Sequence, residues 1–123
     1  MGWKFKDGIP IWTQIIDTIR QKIVRGDWPP GSKVPAVREL ALEAGVNPNT
    51  MQRALSEMER DGLLYSERTS GRFVTENEEI LKELRETLCQ EAVQELLAQL
   101  RQLGLTPEEI RGEFRRAEES LEP

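Results

Sequence analysis

Two short helical segments, separated by only a few residues, constrain the fold of this chain more than any other feature of its sequence. The first segment has four apolar residues at helical spacing: Val37, Leu40, Ala41 and Ala44. Gly45 ends that segment, and a second one starts almost at once, because Asn47 suits an N-cap and Pro48 suits the first helical position. The spacing predicts a helix-turn-helix.

The second of these segments has two chemically different sides when it is turned by about 100° per residue. One side is apolar: Met51, Ala54, Leu55 and Met58. The other is polar: Asn49, Gln52, Arg53, Ser56 and Arg60, with Thr50 at the flank of the first turn. Arginine, asparagine and glutamine match the donors and acceptors of base edges in the major groove. Taken alone, such a side is more often an ordinary solvated helix face, so the neighbouring sequence has to decide.

The neighbouring segments complete a winged helix. Before the pair, a helix opens at Pro10 and ends at Gly26, with apolar residues at helical spacing: Trp12, Ile15, Ile16, Ile19 and Ile23. A turn-rich connector covers residues 27–35. After the pair, residues 63–67 and 72–75 are predicted to form two strands around a tight, basic turn at 68–71. We therefore expect a mostly α fold with a small β-hairpin, in a domain of residues 1–75.

Residues 76–123 form a second, helical module in this interpretation. Its first helix carries one apolar stripe at Ile80, Leu81, Leu84 and Leu88, and the apolar residues beyond Leu88 centre about 120° further round the helix. Gly104 ends that helix. Thr106 to Glu109 is a capping box that opens a last helix, in which Ile110, Phe114, Ala117 and Leu121 form a single stripe.

The two helices of the tail have about fifty residues in total. They carry more apolar surface than they can bury against each other. We therefore expect the tail to pair with the same element of a second chain. The residues expected in that contact are Leu88, Ala92, Val93, Leu96, Leu97, Leu100, Leu103, Ile110 and Phe114. The alternative, in which the tail folds back over its own N-terminal domain, stays open.

Composition argues against an enzyme. The chain has no histidine and a single cysteine, Cys89, whereas zinc sites, thiol catalysis and most general-base chemistry near neutral pH draw on His and Cys. We expect no metal and no cofactor. No apolar run is long enough for a membrane span and no signal peptide is recognisable, which predicts a cytoplasmic protein.

The net charge of −5 is unevenly distributed. Residues 1–75 carry eleven basic and nine acidic side chains, which gives +2, and the tail carries six and thirteen, which gives −7. Because the local field governs phosphate binding, the acidic tail does not exclude a nucleic-acid partner for the N-terminal domain.

Four runs in order, GIPIWTQI, PPGSKVPAVRELA, GVNPNTMQRALSEMERDGLL and ERTSGRFV, resemble the DNA-binding domain of the GntR family of bacterial transcription regulators. The Asn-Pro-Asn-Thr start of the third helix and the short helical tail look like the YtrA-type subfamily. Two departures are visible. Ala36 stands where many members have a capping serine, and Pro48 stands where other subfamilies have an arginine.

The resemblance implies the residues that meet DNA. Arg38 would contact a phosphate or base at the start of the second helix, Asn49, Thr50, Gln52 and Arg53 would belong to the recognition helix, and Arg68, Thr69, Gly71 and Arg72 would form the wing at the minor groove. The function implied is sequence-specific repression by a homodimer on an inverted repeat. Binding of an unidentified small-molecule effector is left as an open alternative. The alternatives are a winged-helix module that binds protein and a carboxylate enzyme in the tail.

Overall fold

The computed structural model describes residues 2–122 and is mostly helical, with one small hairpin, as the sequence predicts. In chain order the elements are α1 (Ile11–Arg25), α2 (Val37–Ala44), α3 (Pro48–Arg60), β1 (Leu64–Glu67), β2 (Gly71–Val74), α4 (Glu78–Gln102), α5 (Pro107–Glu118) and a short 3-10 turn (Glu119–Leu121). The chain divides into two compact units, one ending at Arg85 and the other beginning at Glu86.

The core of the first unit lies between its three helices, and α3 packs against α1, α2 and β1. The inner faces supply fully buried side chains: Ile15, Ile19, Leu40, Met51, Leu55 and Met58. These positions are the apolar stripes of the sequence, so three amphipathic faces merge into one core. Burying each such side chain contributes about 1.5–3 kcal/mol, which explains how α2, only 8 residues long, stays helical.

The hairpin packs one of its faces on this core. Leu64 pairs with Val74, and both are buried, while the next pair, Tyr65 and Phe73, stacks with ring centroids 5.6 Å apart. Both strands differ by one residue from the sequence expectation. The N–H of Leu63 donates to the Met58 carbonyl just beyond the end of α3. The next pair in the register, Leu63 and Thr75, therefore keeps only the hydrogen bond from the Thr75 N–H to the Leu63 carbonyl.

The connector between α1 and α2 is more ordered than its turn-rich sequence indicates. Its last residues lie along the free edge of β2: the N–H of Val34 donates to the Arg72 carbonyl at 2.8 Å, and the N–H of Val74 donates to the Ser32 carbonyl at 2.9 Å. β2 is therefore hydrogen-bonded on both sides. The wing is anchored to the segment that leads into α2.

The second unit contains the rest of α4, α5 and the 3-10 turn. The capping box at the start of α5 is confirmed: the N–H of Glu109 donates to Thr106 Oγ1 at 3.2 Å, and the N–H of Thr106 donates to Glu109 Oε1 at 2.8 Å. Within residues 2–122, no helix has the length and apolar character to cross a membrane.

Candidate nucleic-acid interface

The turn between α2 and α3 fixes where the polar helix begins. Gly45 has a φ of +75°, a conformation that glycine adopts at little cost, and its N–H donates to the Ala41 carbonyl. The Oδ1 atom of Asn47 then accepts the N–H of Asn49 at 2.7 Å, and Pro48 takes the first helical position. The predicted cap is confirmed. The chain therefore leaves α2 and re-enters a helix within three residues.

The polar side of α3 is exposed in the folded unit. Its exposed residues are Asn49, Gln52, Arg53, Ser56 and Arg60, and Thr50 is half-buried at the flank. Gln52 Nε2 donates to Ser56 Oγ at 3.0 Å, a weak local contact that leaves the amide accessible. A helix with one buried and one bare polar side has the size and chemistry to enter a major groove.

Arg53 has a neighbour that the sequence does not predict. Its guanidinium carbon lies 4.1 Å from the ring centroid of Trp12, which stands near the start of α1. The sequence places Trp12 on the apolar stripe of α1, and the structure leaves it half-buried. No short-range pattern signals this contact, because it joins residues 41 positions apart and depends on how α1 crosses α3.

The wing is tied to α3 through a carboxylate. Glu59 accepts hydrogen bonds from the Ser66 hydroxyl of β1 and, at 2.6 Å, from Arg72 Nε of β2. The hydrogen bond from Ser66 has the largest effect on the Glu59 carboxyl and that from Arg72 the next largest. Together they hold its pKa below the ordinary value. Arg72 is largely covered and links the wing to α3, whereas Arg68 and Thr69 at the tip are exposed.

Beside the wing is an open cleft of about 440 Å³ that the sequence did not reveal. It lies between the wing tip and the residues before α2, and its lining includes Lys33, Arg68, Thr69, Gly71 and Arg72. Gly71 has a φ of +110°, and a Cβ built there would come within 3.0 Å of the Lys33 side chain. The structure thus brings Lys33 to the wing. Arg38, by contrast, is exposed on α2 and is not part of this lining.

Four cations around this surface lack an acidic partner among residues 2–122: Lys33, Arg38, Arg53 and Arg68. The other two basic residues on α3 and β2 are paired, Arg60 with Glu57 and Arg72 with Glu59. Unpaired cations attract phosphates more strongly than paired ones, because no local carboxylate cancels their field. Within the same described range, no cluster of residues is arranged to hold a metal ion.

Comparisons with known proteins agree with this geometry. Residues 12–74, about half of the chain, match the model of the family "Bacterial regulatory proteins, gntR family". The chain belongs to the GntR family. It is a helix-turn-helix transcription regulator, and its family consists of regulators rather than enzymes.

Two relatives of this GntR-family chain extend the match into the tail. It is 44% identical over 110 residues to the uncharacterized HTH-type transcriptional regulator YhcF of Bacillus subtilis. The aligned residues cover 89% of this chain and 91% of YhcF. It is 33% identical over 106 residues to the HTH-type transcriptional repressor YtrA of the same organism, covering 85% and 82%. The expected likeness to YtrA-type regulators is confirmed.

A solved structure places a similar domain on DNA. The AraR DNA-binding domain in complex with operator ORX1 superposes with a TM-score of 0.55 at 28% identity, over 61% of this chain and 99% of that one. The winged helix of this GntR-family regulator is therefore similar to one that has been captured on its operator.

The residues predicted for dimerisation lie in the second unit and differ in exposure. Ala92, Val93, Leu96, Leu103 and Phe114 are exposed, Leu88, Leu97 and Leu100 are half-buried, and Ile110 is buried within its own chain. Leu103 is 74% exposed. Most of the predicted contact is thus uncovered in the single chain, whereas Ile110 already has neighbours.

Proposed function

We propose that this regulator represses transcription as a homodimer by occupying an inverted-repeat operator in the cytoplasm. One observation carries the proposal: the polar side of α3 is exposed, and four cations around it, Lys33, Arg38, Arg53 and Arg68, have no acidic partner among residues 2–122.

The DNA contacts follow from the placement of the side chains. α3 enters the major groove, where Asn49, Gln52 and Arg53 meet base edges and Thr50 meets the backbone. The exposed tip residues Arg68 and Thr69 reach the minor groove beside the same half-site. In this arrangement Arg38, at the start of α2, contacts a phosphate, and Gly71 lets the wing backbone approach closely.

Arg72 has a mixed role in the proposal. Its Nε is engaged by Glu59, so its remaining guanidinium nitrogens are the only part of the group that can meet a phosphate. Removing Arg72 is therefore expected to loosen the wing as well as to weaken DNA binding.

The readout by α3 is tested with a duplex selected from a random library by the unaltered protein. Arg53→Ala should weaken binding to that duplex by about 1–3 kcal/mol and leave binding to a scrambled duplex of equal length almost unchanged. Arg111→Ala, which removes one exposed arginine from α5, is the matched control and should affect neither duplex. Equal loss on both duplexes from Arg53→Ala would make this residue a phosphate contact.

Salt separates DNA binding from the alternative of a protein-binding winged helix. If phosphate contacts dominate, affinity should fall by orders of magnitude between about 50 and 200 mM salt. If the selection yields no preferred sequence and the protein retains no duplex even at low salt, the DNA-binding proposal fails and the alternative replaces it.

The homodimer is supported by the bare apolar side chains of the second unit. Val93, Leu96 and Leu103 expose between 43% and 74% of their surface. Val93 and Leu96 belong to the stripe of α4 beyond Leu88, and Leu103 follows directly after the end of α4. Contiguous exposed apolar surface marks a protein contact. A two-fold dimer through this stripe would present two copies of α3 to half-sites related by the same symmetry.

Sedimentation of the full chain at micromolar concentration tests the dimer. Leu96→Glu should shift the protein toward monomer, because it places a charge in the proposed contact. Leu42→Glu adds the same charge at a leucine that is 85% exposed on α2, and it should leave the mass unchanged. An unaltered protein that sediments only as monomer would refute this part of the proposal.

Repression is tested by placing the selected site within a promoter and measuring transcription in vitro with and without the protein. The relative YtrA is named a repressor, which favours repression over activation. Any effector is expected to be small, since the tail is too short to enclose a large pocket. A rise in transcription on adding the protein would reverse the assignment.

A further inference from the structure

Trp12 and Arg53 form a contact between two helices at the edge of the proposed DNA surface. The guanidinium carbon lies 4.1 Å from the centroid of the indole ring, within the range of a cation–π interaction. Trp12 is half-buried and belongs to α1, a helix that packs against α3 in the core of the first unit. Arg53 is exposed and belongs to α3, so its side chain is held by nothing except this ring among the described residues.

The kind of partner matters for what the guanidinium can still do. A carboxylate would cancel the charge of Arg53 and occupy the N–H donors at its edge, as Glu59 does for the Nε of Arg72. An aromatic ring contacts the flat face instead and leaves the charge and the edge donors free. A stacked arginine can therefore donate two parallel hydrogen bonds to a guanine while the stack persists.

We propose that Trp12 is a positioning residue for sequence readout: its ring restrains the Arg53 side chain so that the edge of the guanidinium is presented to a base. This inference rests on the proposed role of Arg53 in reading the operator. It assigns part of the specificity to α1, a helix that carries none of the predicted DNA contacts.

Preorganisation explains why such a device affects binding. A free arginine side chain loses rotamer freedom when it binds, and a ring that restricts the side chain beforehand reduces that loss. The advantage applies only to a contact that requires one orientation. Binding to random DNA through phosphates tolerates many orientations, so Trp12 should matter for the selected duplex and not for the scrambled one.

The test compares Trp12→Leu, Trp12→Phe and Arg53→Ala with the double variant Trp12→Leu/Arg53→Ala, on the selected and the scrambled duplex. Trp28→Leu is the control, because it removes another half-buried indole from the same unit, one without a cation over its ring among residues 2–122. Thermal unfolding of each variant checks that the fold is retained.

Trp12→Leu should bind the selected duplex about three- to fivefold more weakly, with unchanged binding to the scrambled duplex. Trp12→Phe keeps an aromatic face and should recover part of the loss. In the Arg53→Ala background, Trp12→Leu should cause no further loss, because Trp12 acts through Arg53. Trp28→Leu should bind both duplexes normally.

A second measurement reports on Arg53 without DNA. In solution NMR of the free protein, the Nε–H of Arg53 should be more ordered than that of exposed Arg38, and Trp12→Leu should remove the difference. Equal mobility of Arg53 in both proteins would overturn the proposal.

The outcomes separate this inference from the proposal on which it rests. If Arg53→Ala binds the selected duplex normally, the role of Arg53 in readout is wrong, and that of Trp12 with it. If Arg53→Ala binds weakly but Trp12→Leu binds normally, or if the two losses simply add, the readout role stands and only the positioning role is overturned.

Discussion

Replacing Glu59 with glutamine should loosen the wing from α3 and lower the free energy of unfolding. The carboxylate accepts hydrogen bonds from Ser66 and Arg72, and glutamine keeps the shape while it removes the charge. The Arg72 side chain is only 16% exposed, so it would be left in a partly desolvated position without its anion.

The magnitude follows from the exposure of the two partners. Hydrogen bonds that involve a charged group contribute about 1.5–3 kcal/mol when they are well shielded. Glu59 is 31% exposed, so solvent screens the pair. The expected loss in the free energy of unfolding is therefore reduced to about 1–2 kcal/mol at pH 7. Glu57→Gln is the matched control: its partner Arg60 is 77% exposed and 3.5 Å away, so the loss should stay below about 0.5 kcal/mol.

The pH dependence gives a second check. Because the pKa of Glu59 is lower in the folded than in the unfolded chain, its contribution is fully present above the unfolded value of about 4.3 and disappears as the pH falls through the folded value. The difference between the unaltered protein and Glu59→Gln should thus be constant from about pH 6 to 8 and shrink below about pH 4.

Urea unfolding followed by far-UV circular dichroism, at fixed protein concentration and from pH 3 to 8, measures both effects. The reasoning is refuted if Glu57→Gln costs as much as Glu59→Gln, or if the deficit of Glu59→Gln is undiminished at pH 3.

Four further substitutions probe the scaffold of the interface through thermal or urea unfolding. Leu55→Ala empties a fully buried position of α3 and should cost about 2–5 kcal/mol; a loss below 1 would mean that the core closes over the gap. Asn47→Ala removes the cap of α3 and should cost about 1 kcal/mol. Gly71→Ala should lower the free energy of unfolding by about 1 kcal/mol or more, because Gly71 has a φ of +110°. Gly112→Ala, at an open position within a helix, should instead raise it by about 0.5–1 kcal/mol.

Much of the fold was predictable because it depends on local patterns. The apolar spacing of α1 and α3, the cap at Asn47 and the capping box at Thr106 are properties of a few neighbouring residues, and each formed as expected. The wing strands were placed to within one residue. Their exact ends depend on which carbonyl receives the N–H of Leu63, a choice made by the packing of α3.

The contacts that organise the interface could not be predicted in the same way. Trp12 meets Arg53, and Glu59 meets Arg72, only because helices and hairpin pack at particular angles. The cap residue of a helix can be recognised from about four neighbouring residues. The stack between α1 and α3 depends instead on how all the core residues set the packing of the two helices. The same limit applies to Lys33, whose place beside the wing follows from the pairing of the connector with β2.

The attachment of β2 along both of its edges has a consequence for how such regulators diverge. The register of the hairpin is fixed by β1 on one side and by residues 32–34 on the other, far from the tip. Residues 68–70 are exposed and contribute nothing to the core, so mutation can rewrite their charge, or insert residues between them, while the rest of the domain keeps its shape. The tip can therefore change in sequence or length without altering the scaffold that holds α3.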